Sequence, residues 1–349
     1  MDLEVRPLRL DDPAWAELTR TGVGRSAYHC PTLVRSAAAT HDMDVVAWGA
    51  YAGGELVSGV ALTQTMRGDP RPLPIMSYTA PVYRPSPSTH RSVIDRHSAR
   101  TIGAVLEPVG VTIGARLRAR AGYADIRDLL ASGWTARANF TYEVHLDSMT
   151  AAWDAMDDDR RRLVRRAERH GYDVSVIDRV SDHDAALHGT LTRLYLEQAA
   201  TYGNSDDPDR AMWRRFVDDL LAAGHGRIYL ATTADAEPVA FQFAVVWGDQ
   251  AANLLTGSMR SHADAGANTL LRWRASNMLH SEGVARLDLN GAPSGSAGRF
   301  KASLGAVLTP RWELTRPDPL AGGHLTARIG RRVRREVAVA SRRRRQHRA

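Results

Sequence analysis

The chain has 349 residues with 44% hydrophobic and 24% charged residues, the proportions of an ordinary globular protein, and its formal net charge is +7. The length suggests two domains. A single cysteine, Cys30, excludes an internal disulfide framework and a cysteine-based metal site, and we expect it to be a small buried residue.

The positive charge is concentrated at the C-terminus. Residues 328–349 hold ten arginines and one glutamate, which leaves residues 1–327 at a net charge of −2. We expect residues 316–349 to form a basic, disordered tail that could attract RNA or an anionic membrane surface, or merely aid solubility. No signal peptide and no apolar run of roughly 20 residues is present, so we expect a cytoplasmic protein without a membrane span.

Apolar periodicity and turn residues predict alternating strands and helices. In the first half we predict a strand at 3–7, helices around Trp15 and Leu33, a hairpin over 45–62, a strand at 73–78, a helix at 89–106, and strands near Val111 and Thr141 flanking a short helix at 125–131. In the second half we predict an arginine-rich helix from 160, a strand at 172–177, helices at 182–201 and 208–221, a hairpin over 227–244, a strand at 253–258, a helix at 268–282 and a strand from 286.

The two predicted hairpins form a weak internal repeat. Each reads as an apolar strand, a turn and a second apolar strand, and each occupies an equivalent place in its half of the chain. The sequence therefore predicts a mixed α/β fold with two similar domains. The predicted domains are residues 1–147 and 148–315, followed by the tail.

Lys301 is the only lysine among the 46 Lys and Arg residues. A bias toward arginine codons explains the arginines but not one surviving lysine. An ammonium is a compact charge whose pKa shifts on burial, whereas a guanidinium is a broad planar fork. A site that keeps lysine is therefore expected to need the compact cation, and chance survival at a neutral surface position is the alternative.

Three motifs occur in order between roughly residues 28 and 314. They are Gly133-Trp134 with Asn139-Phe140-Thr141-Tyr142, the arginine-rich segment 160–171 ending in Arg-Ala-Glu-Arg-His-Gly, and Asp288-Leu-Asn-Gly291 followed by a small-residue loop and Phe300-Lys301-Ala-Ser-Leu304-Gly305. Together they resemble the Fem-type transferases, a branch of the GNAT acyltransferase superfamily with two GNAT-like domains in tandem. Leu304 stands where that family usually has a second aromatic residue.

The resemblance implies aminoacyl transfer to an amine through a tetrahedral intermediate. In that reaction Lys301 would be the catalytic cation that stabilises the oxyanion. The other candidate residues, all for substrate binding, are Asn290, Tyr202, Gln242, Thr256, Phe300, Arg161 and Arg165. Asn290 could instead be a turn former and Gln242 could instead satisfy a backbone group, while the exposed stripe of the arginine-rich helix could contact phosphates or simply be solvated.

The CoA-binding loop of a GNAT fold reads (Gln/Arg)-x-x-Gly-x-(Gly/Ala) and opens a helix whose N–H groups bind pyrophosphate. The equivalent segment, Ala263–Asn268, keeps Gly266 and offers Asn268 as a helix cap. It lacks the Gln or Arg, and Asp264 would repel phosphate. We therefore expect no bound cofactor and an aminoacyl-tRNA co-substrate, with Gly266 and Asn268 binding cofactor only if the donor is an acyl-CoA.

The leading hypothesis is a monomeric, aminoacyl-tRNA-dependent transferase. It would join an amino acid to an amine of a secondary-metabolite (antibiotic-type) intermediate or a peptidoglycan precursor. The sequence has no motif for a metal site or a Ser-His-Asp triad. The alternatives are an acyl-CoA-dependent N-acyltransferase of the same fold, and a non-catalytic RNA- or membrane-binding protein.

Overall fold

A computed structural model describes residues 2–64, 70–71, 78–110, 116–120, 126–201 and 210–316. Most of the predicted strand at 73–78, the predicted strand near Val111, the candidate Tyr202 and the basic tail lie outside these residues. The helices are α1 (Pro13–Thr21), α2 (Pro31–Thr40), α3 (Arg91–Gly110), α4 (Arg127–Ala131), α5 (Met149–Ala155), α6 (Asp158–Arg169), α7 (Ala185–Thr201), α8 (Arg210–Ala222), α9 (Ala267–Ser281) and α10 (Ser296–Ser303).

The strands belong to two sheets. They are β1 (Glu4–Pro7), β2 (Asp44–Ala52), β3 (Glu55–Gln64), β4 (Pro70–Arg71), β5 (Val82–Tyr83), β6 (Arg116–Arg120), β7 (Thr135–His145), β8 (Asp173–Ile177), β9 (Gly226–Thr232), β10 (Pro238–Trp247), β11 (Gln250–Ser258), β12 (Arg286–Asp288) and β13 (Val307–Thr315). The first sheet has the order β1-β2-β3-β4, with β5 also paired to β3, and the second has the order β6-β13-β7-β12-β11-β10-β9-β8. The predicted mixed α/β class is confirmed.

Local sequence explains where several elements begin and turn. Helix α1 begins with Pro13 in its first turn, and the Asp12 side chain accepts a hydrogen bond from Ala14 N at 2.8 Å. The β2–β3 hairpin turns at Gly53 and Gly54, whose φ angles of 57° and 85° favour glycine.

The arginine-rich helix α6 has a polar outer face and a narrow buried one. Acidic residues occupy its first turn and basic residues its last, an arrangement that complements the helix dipole; they are Asp158, Asp159, Arg166 and Arg169. Val164 and Ala167 are its buried residues. The helix is therefore held by one apolar stripe, and four of its arginines are exposed: Arg162, Arg165, Arg166 and Arg169.

The second sheet takes strands from both halves of the sequence. Strand β7 lies between β13 and β12, and β6 pairs with the far edge of β13. The domain boundary proposed at residue 147 stays a prediction, since the sheet that holds the second half also contains β6 and β7.

The two halves also share a hydrophobic core. Trp15 and Leu33 from the first half are fully buried in the same cluster as Phe241 and Phe243 of β10. Polar contacts reinforce this packing. Ser36 Oγ donates to Asp219 Oδ2 at 2.7 Å, and Arg25 forms a bidentate ion pair with Asp249 at 2.8 and 3.0 Å. The halves are thus packed against each other by apolar and polar contacts.

Cys30 is fully buried, and burial raises the pKa of its thiol to about 11. Within the described ranges, no helix is long and apolar enough to cross a membrane. The same part of the chain holds no cluster of three or more His, Cys, Asp or Glu side chains suited to a metal ion.

Candidate active site

The candidate site is a cleft that opens where two parallel strands part. Strands β11 and β12 are paired only at residues 250–252 and 286–288. Beyond Ala252, β11 continues to Ser258 while the chain after Asp288 turns away. The resulting cleft has a volume of about 680 Å³ and is lined by α7, β11, the start of α9, the turn after β12, and α10.

Lys301 lies in this cleft and holds the turn that follows β12. Its Nζ donates to the carbonyl oxygens of Leu289, Asn290 and Gly291 at 2.7, 3.1 and 3.0 Å. An ammonium has three protons, so these three carbonyls account for all of them. The side chain therefore stabilises the turn, and a new acceptor would have to replace one of these carbonyls.

The turn itself has an unusual backbone conformation. Asn290 has a φ of 59°, which is uncommon for a residue other than glycine. It is held in place from β7 and β12: Asp288 Oδ1 accepts from Asn290 N at 2.6 Å and from Thr141 Oγ1 at 2.8 Å, and Thr141 Oγ1 accepts from Gly291 N at 2.8 Å. Lys301 thus holds the carbonyls of the turn, while Asp288 and Thr141 hold its amides.

A buried carboxylate pair lies beneath the turn. Glu143 is 2% exposed and accepts from Tyr78 Oη at 2.8 Å and from Arg120 Nη2 at 2.7 Å. Burial, with the nearby Glu143 charge as the next cause, raises the pKa of Asp288 to about 6. The floor of the cleft is therefore supported by a network that joins both halves of the chain.

The ammonium of Lys301 is in an environment that disfavours its charge. Burial lowers its pKa to about 8, and the positive charge of Arg272 acts in the same direction, while Asp288 opposes them. Three further basic side chains line the cleft, namely Arg160, Arg260 and His262, whereas its described lining includes no Asp or Glu. The cleft is therefore electropositive.

Arg272, from α9, is fixed by two buried amides. Gln242 Oε1 accepts from Arg272 Nη1 at 2.9 Å. When the Asn253 amide is oriented so that its nitrogen faces the carbonyls of Phe243 and Leu255, its oxygen accepts from the same Arg272 nitrogen at 3.0 Å. Gln242 is fully buried and Asn253 is 6% exposed, so the two amides orient the guanidinium from the sheet side.

The opposite wall of the cleft joins α7 to β11. Gln198 Nε2 donates to Thr256 Oγ1 at 2.9 Å, and Ser258 Oγ donates to Gln198 Oε1 at 3.0 Å. Tyr195, one turn earlier on α7, also lines the cleft. Thr256 is thus a wall residue of the cleft, held by a side chain from the facing helix.

The loop that would hold a CoA pyrophosphate packs tightly on α6. Gly266 has a φ of 90°, and a Cβ placed on it would lie 2.5 Å from the carbonyl oxygen of Leu163. Gly266 does not line the cleft, but Asn268, two residues on, does. The glycine is therefore required by backbone conformation and helix packing alone.

Three more residues that were predicted to bind substrate, Arg161, Arg165 and Phe300, differ in their surroundings. Arg161 Nη1 donates to the carbonyls of Trp153, Asp154 and Met156, which caps the end of α5. Arg165 lies over the Trp153 ring at 5.5 Å, outside the cleft. Phe300 does line the cleft, and its ring lies 5.0 Å below the guanidinium of Arg160.

Residues 154–302 match the GNAT acetyltransferase domain family. The crystal structure of FemX aligns with a TM-score of 0.68 over 89% of this chain and 96% of FemX, at 12% identity. The chain has a Fem-like tandem GNAT fold. Two further similar structures are L-PGS from Bacillus licheniformis (TM-score 0.56, 13% identity, 88% of this chain and 92% of that one) and a tandem GNAT protein from the clavulanic acid biosynthesis pathway (0.51, 17%, 90% and 98%). No curated protein sequence matches the chain at a significant level.

The GNAT domain makes the protein an acyltransferase. Its cleft brings together five of the sequence-predicted residues: Thr256, Asn268, Asn290, Phe300 and Lys301. Gln242 lies behind the cleft rather than in it, and acts on Arg272. Their roles in binding and catalysis stay predictions.

Sequence reasoning missed Arg272, Arg160, Gln198 and Asn253. One signal was present for Arg272, because it lies four residues after Asn268 on α9 and so shares its face. Arg160 belongs to the arginine-rich segment but nothing there distinguishes it from the neighbouring arginines, and Gln198 and Asn253 carry no pattern that separates them from ordinary helix or strand residues.

Proposed function

We propose that this GNAT protein transfers an aminoacyl group from aminoacyl-tRNA to an amine acceptor, which is a secondary-metabolite intermediate or a peptidoglycan precursor. The observation that carries the proposal is the position of Lys301, the single lysine of the chain, in an electropositive cleft between two parting strands. The similarity in fold to FemX, which extends over 89% of this chain, supports the same proposal.

The chemistry requires an oxyanion to be stabilised. The acceptor nitrogen attacks the ester carbonyl, a tetrahedral oxyanion forms, the bond from carbon to the ribose oxygen breaks, and that oxygen takes up the proton lost by the amine. The products are the amide and uncharged tRNA. In this proposal Lys301 Nζ exchanges one of its three carbonyl partners for the oxyanion, and the other two keep the ammonium in position.

The loop before α9 supports tRNA over CoA as the donor. It lacks the Gln or Arg expected three residues before Gly266, and Asp264 is exposed beside the start of the helix. A carboxylate there opposes a pyrophosphate, since like charges at short range repel.

A second candidate function is acyl-CoA-dependent N-acylation. It is favoured by the match of residues 154–302 to an acetyltransferase family and by Asn268, which lines the cleft at the start of α9. In that reaction the same Lys301 would face a thioester carbonyl.

Binding and turnover assays with each donor distinguish the two candidate functions. We expect calorimetry with CoA to give no tight binding, and we expect radiolabelled amino acid to pass from charged tRNA to an amine in the presence of the enzyme. Turnover of an acyl-CoA faster than that of charged tRNA, or micromolar CoA binding, would replace the first proposal by the second.

A further inference from the structure

The outer face of α6 forms a basic groove outside the cleft. The groove has a volume of about 710 Å³, and beside Asp159 it is lined by five arginines, namely Arg160, Arg162, Arg165, Arg166 and Arg169. Over Asp158–Arg169, six arginines against three acidic residues give a net charge of +3, whereas residues 1–327 together carry −2. The basic groove is therefore a local concentration of positive charge on an otherwise slightly acidic body.

The arginines at the end of this groove are not engaged by the fold. Glu168, the acidic residue nearest to them in sequence, pairs with Arg274 of α9 at 2.7 Å. Among the residues that the structure describes, Arg166 and Arg169 have no ion pair and no side-chain hydrogen bond, and both are exposed. Their guanidinium groups are thus available to an anionic partner.

Arg160 joins the basic groove to the cleft, because it lines both. Its Nε donates to Ser303 Oγ at 2.9 Å, and its guanidinium lies 5.0 Å from the centre of the Phe300 ring. Both of these partners belong to α10, the helix that carries Lys301. An extended ligand that lies in the groove therefore has a path past Arg160 toward Lys301.

We propose that the basic groove binds the phosphate backbone of the acceptor stem of the donor tRNA, and that the esterified 3′ end passes Arg160 into the cleft. This assignment rests on the aminoacyl-tRNA-dependent transfer proposed above. Arg162, Arg166 and Arg169 follow one another along about 10 Å of the helix. Exposed cations repeated in this way suit a chain of phosphates, which provides affinity and orientation without reading sequence.

An anionic membrane surface is the other polyanion that an arginine face could meet. A helix that binds at a membrane surface presents an apolar face for insertion beside its basic one. The apolar stripe of α6, Val164 and Ala167, is instead buried in the protein. The observations therefore favour RNA over a bilayer.

Binding of deacylated tRNA at a series of salt concentrations tests the proposal without a transfer step. In the full-length protein, we expect Arg166→Gln combined with Arg169→Gln to weaken binding. The slope of log affinity against log salt should fall by about 2, since each phosphate contact contributes about one. Replacement of both arginines by lysine should retain most of the affinity, because lysine also binds phosphate.

A matched control separates the groove from a general loss of charge. Arg96 and Arg100 are exposed arginines one turn apart on α3, a helix that lines neither the groove nor the cleft. Arg96→Gln with Arg100→Gln should leave the salt slope as in wild type. Circular dichroism checks folding, and Arg169→Gln alone, with an expected slope change of about 1, replaces the double variant if that variant does not fold.

A cross-link locates the bound RNA. Because Cys30 is fully buried, a thiol-reactive photo-cross-linker can be directed to a cysteine introduced by Arg169→Cys or, as the control, by Arg100→Cys. We expect the first to attach to the acceptor stem of deacylated tRNA and the second to attach to no RNA.

Four results would overturn the proposal. They are an unchanged salt slope in the glutamine variant, an equal change in the α3 control, cross-links to the anticodon arm, or phosphatidylglycerol vesicles bound more tightly than tRNA through the same two arginines. If transfer from charged tRNA fails while RNA binding depends on the groove, only the proposed function is refuted. If transfer proceeds while the glutamine variant binds as wild type, only the groove is refuted.

Discussion

Lys301 combines burial with a full set of hydrogen bonds. Three carbonyls hold its ammonium at the end of the cleft, and burial brings its pKa to about 8. A single residue thereby shapes the turn and presents a positive charge to whatever enters the cleft.

Two replacements of Lys301 should distinguish the contribution of its charge to the transfer rate from that of its shape. We expect Lys301→Ala to lower the transfer rate by roughly a hundredfold or more, the effect of losing an oxyanion donor. Lys301→Arg should not restore it, because the wider guanidinium cannot reproduce three contacts to adjacent carbonyls. Single-turnover kinetics with circular dichroism as a control for folding will decide it. Near-full activity of Lys301→Arg would mean that the lysine survived the codon bias by chance and that its compact charge is not required.

The pKa of Lys301 also predicts the pH profile. The charged ammonium is the active form, so kcat/KM should decline as pH rises through about 8, where Lys301 loses its proton. Residual activity of Lys301→Arg should show no such decline, since a guanidinium stays protonated. A wild-type profile that keeps rising to pH 10 would contradict the assignment.

Asp288 should make the free energy of unfolding fall as pH rises, which is the opposite of the usual effect of a carboxylate. Its pKa is about 6 in the folded protein and about 3.9 when unfolded, so the native state binds more protons between these values and stability falls as pH rises from 4 to 6. Asp288→Asn keeps an oxygen for Asn290 and Thr141 without the charge. Urea denaturation should find the variant more stable than wild type by about 1–3 kcal/mol at pH 7.5, with a smaller difference at pH 4.5. The same offset at both pH values would show that charge is not the cause.

At the scale of elements, the start of α9 depends on a close approach between two helices. Gly266 adopts a left-handed conformation and meets the backbone of α6, whereas Gly283, just after α9, has a similar φ of 83° with nothing within 4 Å of a Cβ. Gly266→Ala should therefore be more destabilising than Gly283→Ala by about 1 kcal/mol or more, since only the first adds a steric clash to backbone strain. Thermal melts of the two variants make the comparison, and equal melting temperatures would exclude the clash.

Sequence patterns predicted most of the elements but not how they meet. The hairpins, α6, α7 and α9 follow from short-range periodicity, and Lys301 follows from composition. The cleft could not be predicted, because it depends on β11 and β12 separating after three paired residues. Arg272 could not be distinguished from the other arginines, since its importance comes from Gln242 and Asn253 on neighbouring strands.

At the scale of the whole molecule, the second sheet cannot be completed by the second half of the sequence. A fragment of residues 148–316 lacks β7, which separates β12 from β13. We expect this fragment to be unfolded or aggregated, and a fragment of residues 116–316, which contains the whole sheet, to retain more secondary structure. Circular dichroism melts will compare them with the full chain. Cooperative unfolding of the shorter fragment at the full-length melting temperature would show that the second half folds alone.

The position of β13 has a consequence for how the chain reaches this fold. It inserts between β6 and β7, strands that precede it by about half the length of the chain. During synthesis, the edges of β6 and β7 that pair with β13 have no native partner until residues 307–315 are made. Contacts this distant in sequence slow folding, and exposed edges invite aggregation. Nascent chains that stop before β13 are therefore expected to depend on chaperones, and emergence of β13 from the ribosome should be the step that commits the protein to its native state.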